Sequence, residues 1–352
     1  MRRFVTPGRK HSAERVLSSG AGGLWVLGER GVMRGGNSFS QRRADYGRGV
    51  HEIDAPEYML SPQAMVAHLR QTLTSKKYTP PLLPSIALEL MKLTRQPEVK
   101  LVEVRQLLER DPLLAAKVLQ LSQSALYSRG TPVRSLHDAI SLLGVRTLGD
   151  LFLQTVLSTR VFRADGYDAP MASLMRHSML TAHVARLACR MTSIPDEYAF
   201  MCGLLHDVGM AAGLLIFADS FSKRRPIQDK PRAGATPAPD SAPQSGPPAF
   251  AEVSVALHAV HEEASAVLAE AWQLSPDIRV VLGLHHQLKM GDHIHPLAAV
   301  VCVSDWVASE VGAGIESESD PVRADDAARS LGFSKATLDD LSARARQLLE
   351  LL

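Results

Sequence analysis

From Ser61 onward, apolar residues recur at every third or fourth position, the period of amphipathic helices. Ser61-Pro62 supplies an N-cap and first-turn signal for a helix carrying Met65, Leu69 and Leu73. Pro80-Pro81-Leu82-Leu83-Pro84-Ser85 breaks that helix and starts the next, whose stripe is Ile86, Leu90 and Leu93 and which Pro97 closes. A third helix with Leu101, Val104, Leu107 and Leu108 stops at Asp111-Pro112, and a fourth follows through Leu114, Val118 and Leu121. After the loop Tyr127-Ser128-Arg129-Gly130-Thr131-Pro132, the residues Leu136, Ile140 and Leu143 lead to Gly144, the expected C-cap. A last helix of this half runs from Thr147 to about Val161. Short amphipathic helices joined by short loops predict a compact bundle.

The second half begins near Pro170. Between Ala172 and Met191, one stripe holds His177, Leu180, Val184, Leu187 and Met191, so His177 faces the core. Arg186 and Arg190 fall on the opposite face and His183 lies off the stripe; these three are expected to be solvated. The run Gly203-Leu204-Leu205-His206-Asp207-Val208-Gly209-Met210 is apolar nearly all round apart from its imidazole and carboxylate. Residues Lys223 to Pro248, rich in Pro, Ala, Ser and Gly, read as a surface insertion between two helices of one lobe. Beyond it, Leu257, His261, Ala264 and Leu268 share a face, with His258 close enough in angle to be an outer partner. Ser275-Pro276 starts a helix with Ile278, Val281 and His285 in phase; His286 stands four residues after Leu282. Leu297, Val301, Asp305 and Ala308 form another stripe, and Leu331, Leu338, Leu341, Leu348 and Leu349 mark one or two amphipathic helices at the end.

Composition narrows the class. Aromatics are 5% and the formal charge is +2 over 352 residues, too near balance to argue for nucleic acid. Arginine and glycine dominate the first fifty-odd residues, where no helical or strand period is read; a disordered basic tail over 1–57, or an overextended translation start, is expected. The remainder divides into a helical lobe over 58–165, a second over 166–312 with its flexible insertion at 223–249, and a helical extension over 313–352. No apolar run approaching the roughly 18 residues of a membrane span is read, and no signal-peptide core. Cys189, Cys202 and Cys302 lie in apolar segments and read as reduced core residues of a cytoplasmic protein.

The count of inward polar residues carries the chemistry. His177, His206, Asp207, His261, His285, His286 and Asp305 come from five helices, mostly at positions suited to a core leucine. Burying them costs several kcal/mol each unless they satisfy one another or hold a cation. One or two divalent ions of the iron, manganese or zinc type would satisfy this nitrogen and oxygen set. Asp207 in a bridging position would give a two-metal arrangement suited to phosphoester hydrolysis. A metal-free cluster holding helices together is the other reading.

The order His177, His206-Asp207, Asp305 resembles the HD superfamily of metal-dependent phosphohydrolases, and His261 with His285-His286 resembles the ligand set of its HD-GYP branch. The front half is similar to another branch. Leu82-Leu83-Pro84-Ser85-Ile86-Ala87-Leu88, the stretch from Asp111 to Leu119, Ser124-Ala125-Leu126-Tyr127, Ala139 to Gly144, and His261 through Trp272 into Leu274-Ser275-Pro276 resemble the HDOD domain of bacterial signalling proteins. The resemblance covers roughly 75 to 310. It implies an all-α, two-lobed domain serving as a signalling output or scaffold module with a signalling protein as partner.

The chain departs from the pattern at three places. Gln123 stands in place of the usual Asn, Met210 in place of a lysine that reaches substrate phosphate, and no Gly-Tyr-Pro follows His286. The ligand set is thus complete while the phosphate handles are missing, with Arg176 beside His177 the nearest cationic substitute. The expectation is a regulatory module without membrane or nucleic-acid binding, which could pair with itself through its C-terminal helices. The alternative is a phosphohydrolase acting on a nucleotide or cyclic dinucleotide, with His206 and Asp207 at its catalytic centre.

Overall fold

The structure, a computed structural model, describes residues 61–93, 98–128, 130, 133–222, 247–290, 293–315 and 320–352, together with three strand segments near the N-terminus. The chain divides into a small unit, Met1–Asp54 with Lys289–His293, and a large unit holding the rest.

In the small unit β1 (Val16–Ser19), β2 (Gly23–Leu27) and β3 (Met33–Gly36) form an antiparallel meander, with Val16 opposite Val26 and Trp25 opposite Gly35. The sequence reading found no strand period there. Its signals are short: β-branched and aromatic residues bounded by glycine-rich turns. The tail expected over 1–57 otherwise lies outside the described residues, as does nearly all of the expected insertion at 223–249. The two-residue strands β4 (Lys289–Met290) and β5 (His293–Ile294) pair with each other.

Apart from Ile294, the regular structure described in the large unit is helical. Helix α1 (Pro62–Leu73) comes first and packs on helices of the second lobe; the first lobe comprises α2 (Ser85–Leu93), α3 (Leu101–Leu108), α4 (Pro112–Ser122) and α5 (Leu136–Arg160). Ser61 caps α1 by accepting from the Ala64 N–H at 3.2 Å, and Ser135 caps α5 by accepting from Asp138 at 3.0 Å. The expected boundary at Gly144 is a kink instead: its φ of 78° bends α5 without ending it, so two expected helices are one. Helices α2, α3 and α4 pack on α5.

The second lobe is built on α6 (Asp168–Arg190), α7 (Ala199–Leu205), α8 (Val208–Ser222), α9 (Phe250–His258), α10 (His261–Ala271), α11 (Pro276–Leu284) and α12 (Pro296–Ala308). Helix α6 packs on α7 and α12, α8 on α10, and α10 on α11. The C-terminal α13 (Pro321–Ser330) and α14 (Lys335–Leu349) lie against this lobe, α14 touching α6 and α12 through the buried Leu341 and Ala345.

Three helical stretches, Leu136–Arg160, Ala199–Ser220 and Pro296–Ala313, are long and apolar enough to cross a membrane by length and composition. The sequence reading found no such run. That expectation is corrected: all three are apolar on average over an 18-residue window, and 89% of the middle window is buried inside the fold.

Candidate metal centre

Two glycines let the His206-Asp207 corner between α7 and α8 approach its neighbours. A Cβ on Gly203 would lie 2.7 Å from the Cα of Ala182, so α7 rides directly on α6, the helix of His177. A Cβ on Gly209 would stand 2.0 Å from the carbonyl oxygen of His261, so the start of α8 abuts the start of α10. Buried Ser265 then pins the corner: its hydroxyl donates to the His206 carbonyl and accepts from the Gly209 N–H, both at 2.9 Å.

These contacts bring all seven expected residues together. Around one carboxylate oxygen of Asp207, the His206 Nε2 lies 3.3 Å from Oδ2 and the His177 Nε2 3.8 Å from it. Asp305 closes this group, its Oδ1 standing 3.0 Å from His177 Nε2 and 3.8 Å from His206 Nε2. Around the other oxygen, the Nε2 atoms of His261 and His285 each lie 3.6 Å from Asp207 Oδ1. Donor atoms of Asp207, His261, His285 and His286 all fall within 4.8 Å of one another, as do those of His177, His206 and Asp207. Asp207 therefore faces two donor sets at once.

Backbone contacts determine which ring nitrogens face inward. His206, His261 and His285 each direct Nδ1 at the carbonyl oxygen three residues earlier: Gly203 at 2.8 Å, His258 at 2.7 Å and Leu282 at 3.1 Å. A carbonyl only accepts, so each Nδ1 carries its proton, and a ring that is neutral presents a bare Nε2 lone pair. Two of these lone pairs meet head-on, His261 and His285 approaching Nε2 to Nε2 at 3.3 Å; His177, whose Nδ1 has no hydrogen-bond partner among the described residues, brings its Nε2 3.2 Å from that of His206 and 3.0 Å from Asp305 Oδ1. Opposed lone pairs at this range repel unless a proton or metal cation lies between them. The donor chemistry fits one or two divalent ions.

The electrostatics have the same sign. Burial opposes charge on His206, but Asp207 and then Asp305 outweigh it and hold this imidazole well above its ordinary pKa. Burial likewise opposes ionisation of Asp207, yet His206, His285 and His261 keep it well below the carboxylate range; His177 and His206 do the same for Asp305. Burial, with His285 adding to it, lowers His261 and pushes His286 down to about 2. The centre thus favours ionised carboxylates, neutral His261 and His286, and positive charge at His206.

The other candidates sit further out. His258 supports His261 with its backbone carbonyl, and its own ring lies 6.2 Å from that of His261. Arg176 is exposed and donates to the Leu349 carbonyl oxygen at 3.5 Å, on the C-terminal helix. Met210, where a lysine was the alternative, is core. The expectation that His183 and Arg186 are solvated is corrected. The first lobe covers that face of α6: Arg186 pairs with Asp150 of α5 and lies over Phe200, while Tyr127 meets His183 Nε2 at 3.2 Å. Arg190 is exposed as expected. Glu262 was missed. Its Oε1 accepts from the His286 N–H at 2.9 Å and stands 3.9 Å from His285 Nδ1, bracing the outer donor set.

The model of the HDOD domain matches residues 81–237. An uncharacterized protein of Treponema pallidum (strain Nichols) is 25% identical over 230 residues, 64% of this chain; the chain spans only 41% of that relative's length. Among solved structures, an HDOD domain protein of unknown function from Geobacter sulfurreducens has a TM-score of 0.57 at 22% identity, covering 82% of this chain and 98% of its own. A protein of Shewanella amazonensis SB2B, provisionally named a metal-dependent phosphohydrolase, has a TM-score of 0.59 at 16% identity, covering 82% and 98%. One of Marinobacter aquaeolei VT8, provisionally named a signal transduction protein, has a TM-score of 0.57 at 19% identity, covering 82% and 64%.

Proposed function

The chain carries an HDOD domain, and on that premise we propose that it is a bacterial signal-transduction output module acting by protein contact around a metal centre. The observation that carries the metal reading is the convergence of donors on the two oxygens of Asp207, with His261 and His285 head-on at the Oδ1 side and His177, His206 and Asp305 gathered at the Oδ2 side. His177, His206, Asp207 and Asp305 would hold one ion, and Asp207, His261, His285 and His286 a second, of the iron, manganese or zinc type. The name given to the Marinobacter protein supports a signalling context. The three buried free cysteines suit the cytoplasm, which we propose as the working compartment.

Output by contact is favoured over catalysis by the surroundings of the centre. A substrate phosphate needs cationic handles. Among the described residues, every ion-pair contact of Asp207 and Asp305 is to an imidazole, and Arg176 is engaged with the C-terminal helix. The second reading, a phosphohydrolase, rests on the completeness of the donor set and on the Shewanella protein's name. When bound, two ions would supply Lewis-acid polarisation of a phosphoryl group there, with His206 and Asp207 at its centre.

The test is a turnover assay of anaerobically metal-loaded protein with cyclic dinucleotides and nucleotides. No release of product is the expected result. Turnover that disappears in Asp207→Ala would replace the output reading with the hydrolase.

A further inference from the structure

The two donor sets are unequal in charge and chemistry. The inner set, His177, His206, Asp207 Oδ2 and Asp305, offers two nitrogens and two carboxylate oxygens, and its imidazoles are only 2% and 0% exposed. A dication there is neutralised by the two aspartates. The outer set, His261, His285, His286 and Asp207 Oδ1, offers three nitrogens and shares a carboxylate already used. A second dication therefore adds uncompensated positive charge, with Glu262 the acid that braces this set from outside.

The outer set is also wired to α1 and the proline segment after it. All of its imidazoles sit on α10 and at the end of α11, whereas the inner set is carried by α6, the His206-Asp207 corner and α12. Helix α10 begins at His261. Glu262 braces His286, and Glu263 takes a two-pronged ion pair from Arg70 of α1, with Arg70 Nη2 2.6 Å from Oε1 and Nε 3.0 Å from Oε2. At the far end of α10, Trp272 donates its indole N–H to the Pro81 carbonyl at 2.8 Å, in the proline break between α1 and α2. One helix thus joins the outer donor set to α1 and to the proline segment that leads into α2.

We propose that the outer set is an exchangeable, imidazole-selective site for a divalent transition-metal ion, and that α10 reports its occupancy to α1 and the proline segment that follows it. The module's input is then metal availability. An ion drawing His261 and His285-His286 onto Asp207 fixes α10 at its start, and Arg70 and Pro81 feel the fixed helix. The proposal rests on the metal reading above and goes beyond it by separating a retained ion from a sensed one.

Zinc titration of the full chain, with bound metal measured after desalting and amide hydrogen exchange followed at α1 and residues 82–83, tests this. Wild type should retain one ion through desalting and gain a second reversibly. The second ion should slow exchange at α1 on the order of tenfold. His286→Ala should keep the retained ion and lose both the second and the slowing. Glu263→Gln, altered at an exposed position, should bind both ions with the slowing reduced.

Two ions that bind and leave together, or loss of both in His286→Ala, would overturn this inference while leaving the metal reading intact. Undiminished slowing in Glu263→Gln would overturn the α10 route. A wild type that binds no zinc would overturn this inference, and one that also stays free of iron and manganese would remove the metal reading with it.

Discussion

Gly209 lies against the carbonyl of His261 so closely that no side chain fits: a Cβ there would stand 2.0 Å from that oxygen. The obstacle is backbone at the start of α10, which cannot swing aside as a long side chain would. Gly209→Ala must push α8 and α10 apart, at a cost of about 1–3 kcal/mol for overpacking. Urea denaturation should show a lower midpoint with an unchanged slope. Bound metal should fall as well, because the same movement draws Asp207 away from His261 and His285.

Ser265 fills two roles with one hydroxyl, giving a proton to the His206 carbonyl and taking one from the Gly209 N–H. Ser265→Ala leaves both backbone groups buried and without this partner, which costs roughly 1–3 kcal/mol for each unsatisfied group. The effect is legible as a drop in thermal midpoint. Ser265→Thr, which restores the hydroxyl, should recover part of it; equal loss in both variants would contradict the hydrogen-bonding role.

At the lobe contact, burial first and the Arg186 charge second push His183 down to about 4. In the unfolded chain it titrates near 6.5, so below that pH the unfolded state takes up a proton that the folded state refuses. Stability is therefore complete above pH ~6.5 and falls as the pH drops toward about 4, by roughly 3 kcal/mol in total. His183→Gln does not titrate and keeps a polar group for Tyr127. The wild type should lose stability relative to this variant as the solution is acidified, measured as the gap between their urea midpoints. A gap independent of pH would refute the assignment.

Periodicity placed the centre because helical angle is a local property. His177, His261 and Asp305 each fall in phase with apolar neighbours, and that phase alone turns them inward. Angle does not say what covers the other face. His183 and Arg186 were assigned to solvent because they leave the stripe, and the structure covers them with α5, Tyr127 and Phe200. Glu262 was passed over for a related reason: an acid in the first turn of a helix reads as a favourable exposed charge, and its bond to the His286 backbone is long-range. Gly144 carried a true signal, since its positive φ suits a glycine, but the same conformation serves a kink as well as a C-cap. The strands at 16–36 are too short, and too interrupted by glycine, to raise a period above their basic surroundings.

The central claim is that the cluster around Asp207 holds metal, and the metal content of anaerobically purified protein tests it most directly. Plasma mass spectrometry of the wild type, after incubation with iron, manganese or zinc and desalting, should find at least one ion per chain. Asp207→Ala, which removes the carboxylate common to both donor sets, should lose it while the helical circular dichroism persists. A folded wild type that stays metal-free after incubation with all three would contradict the account.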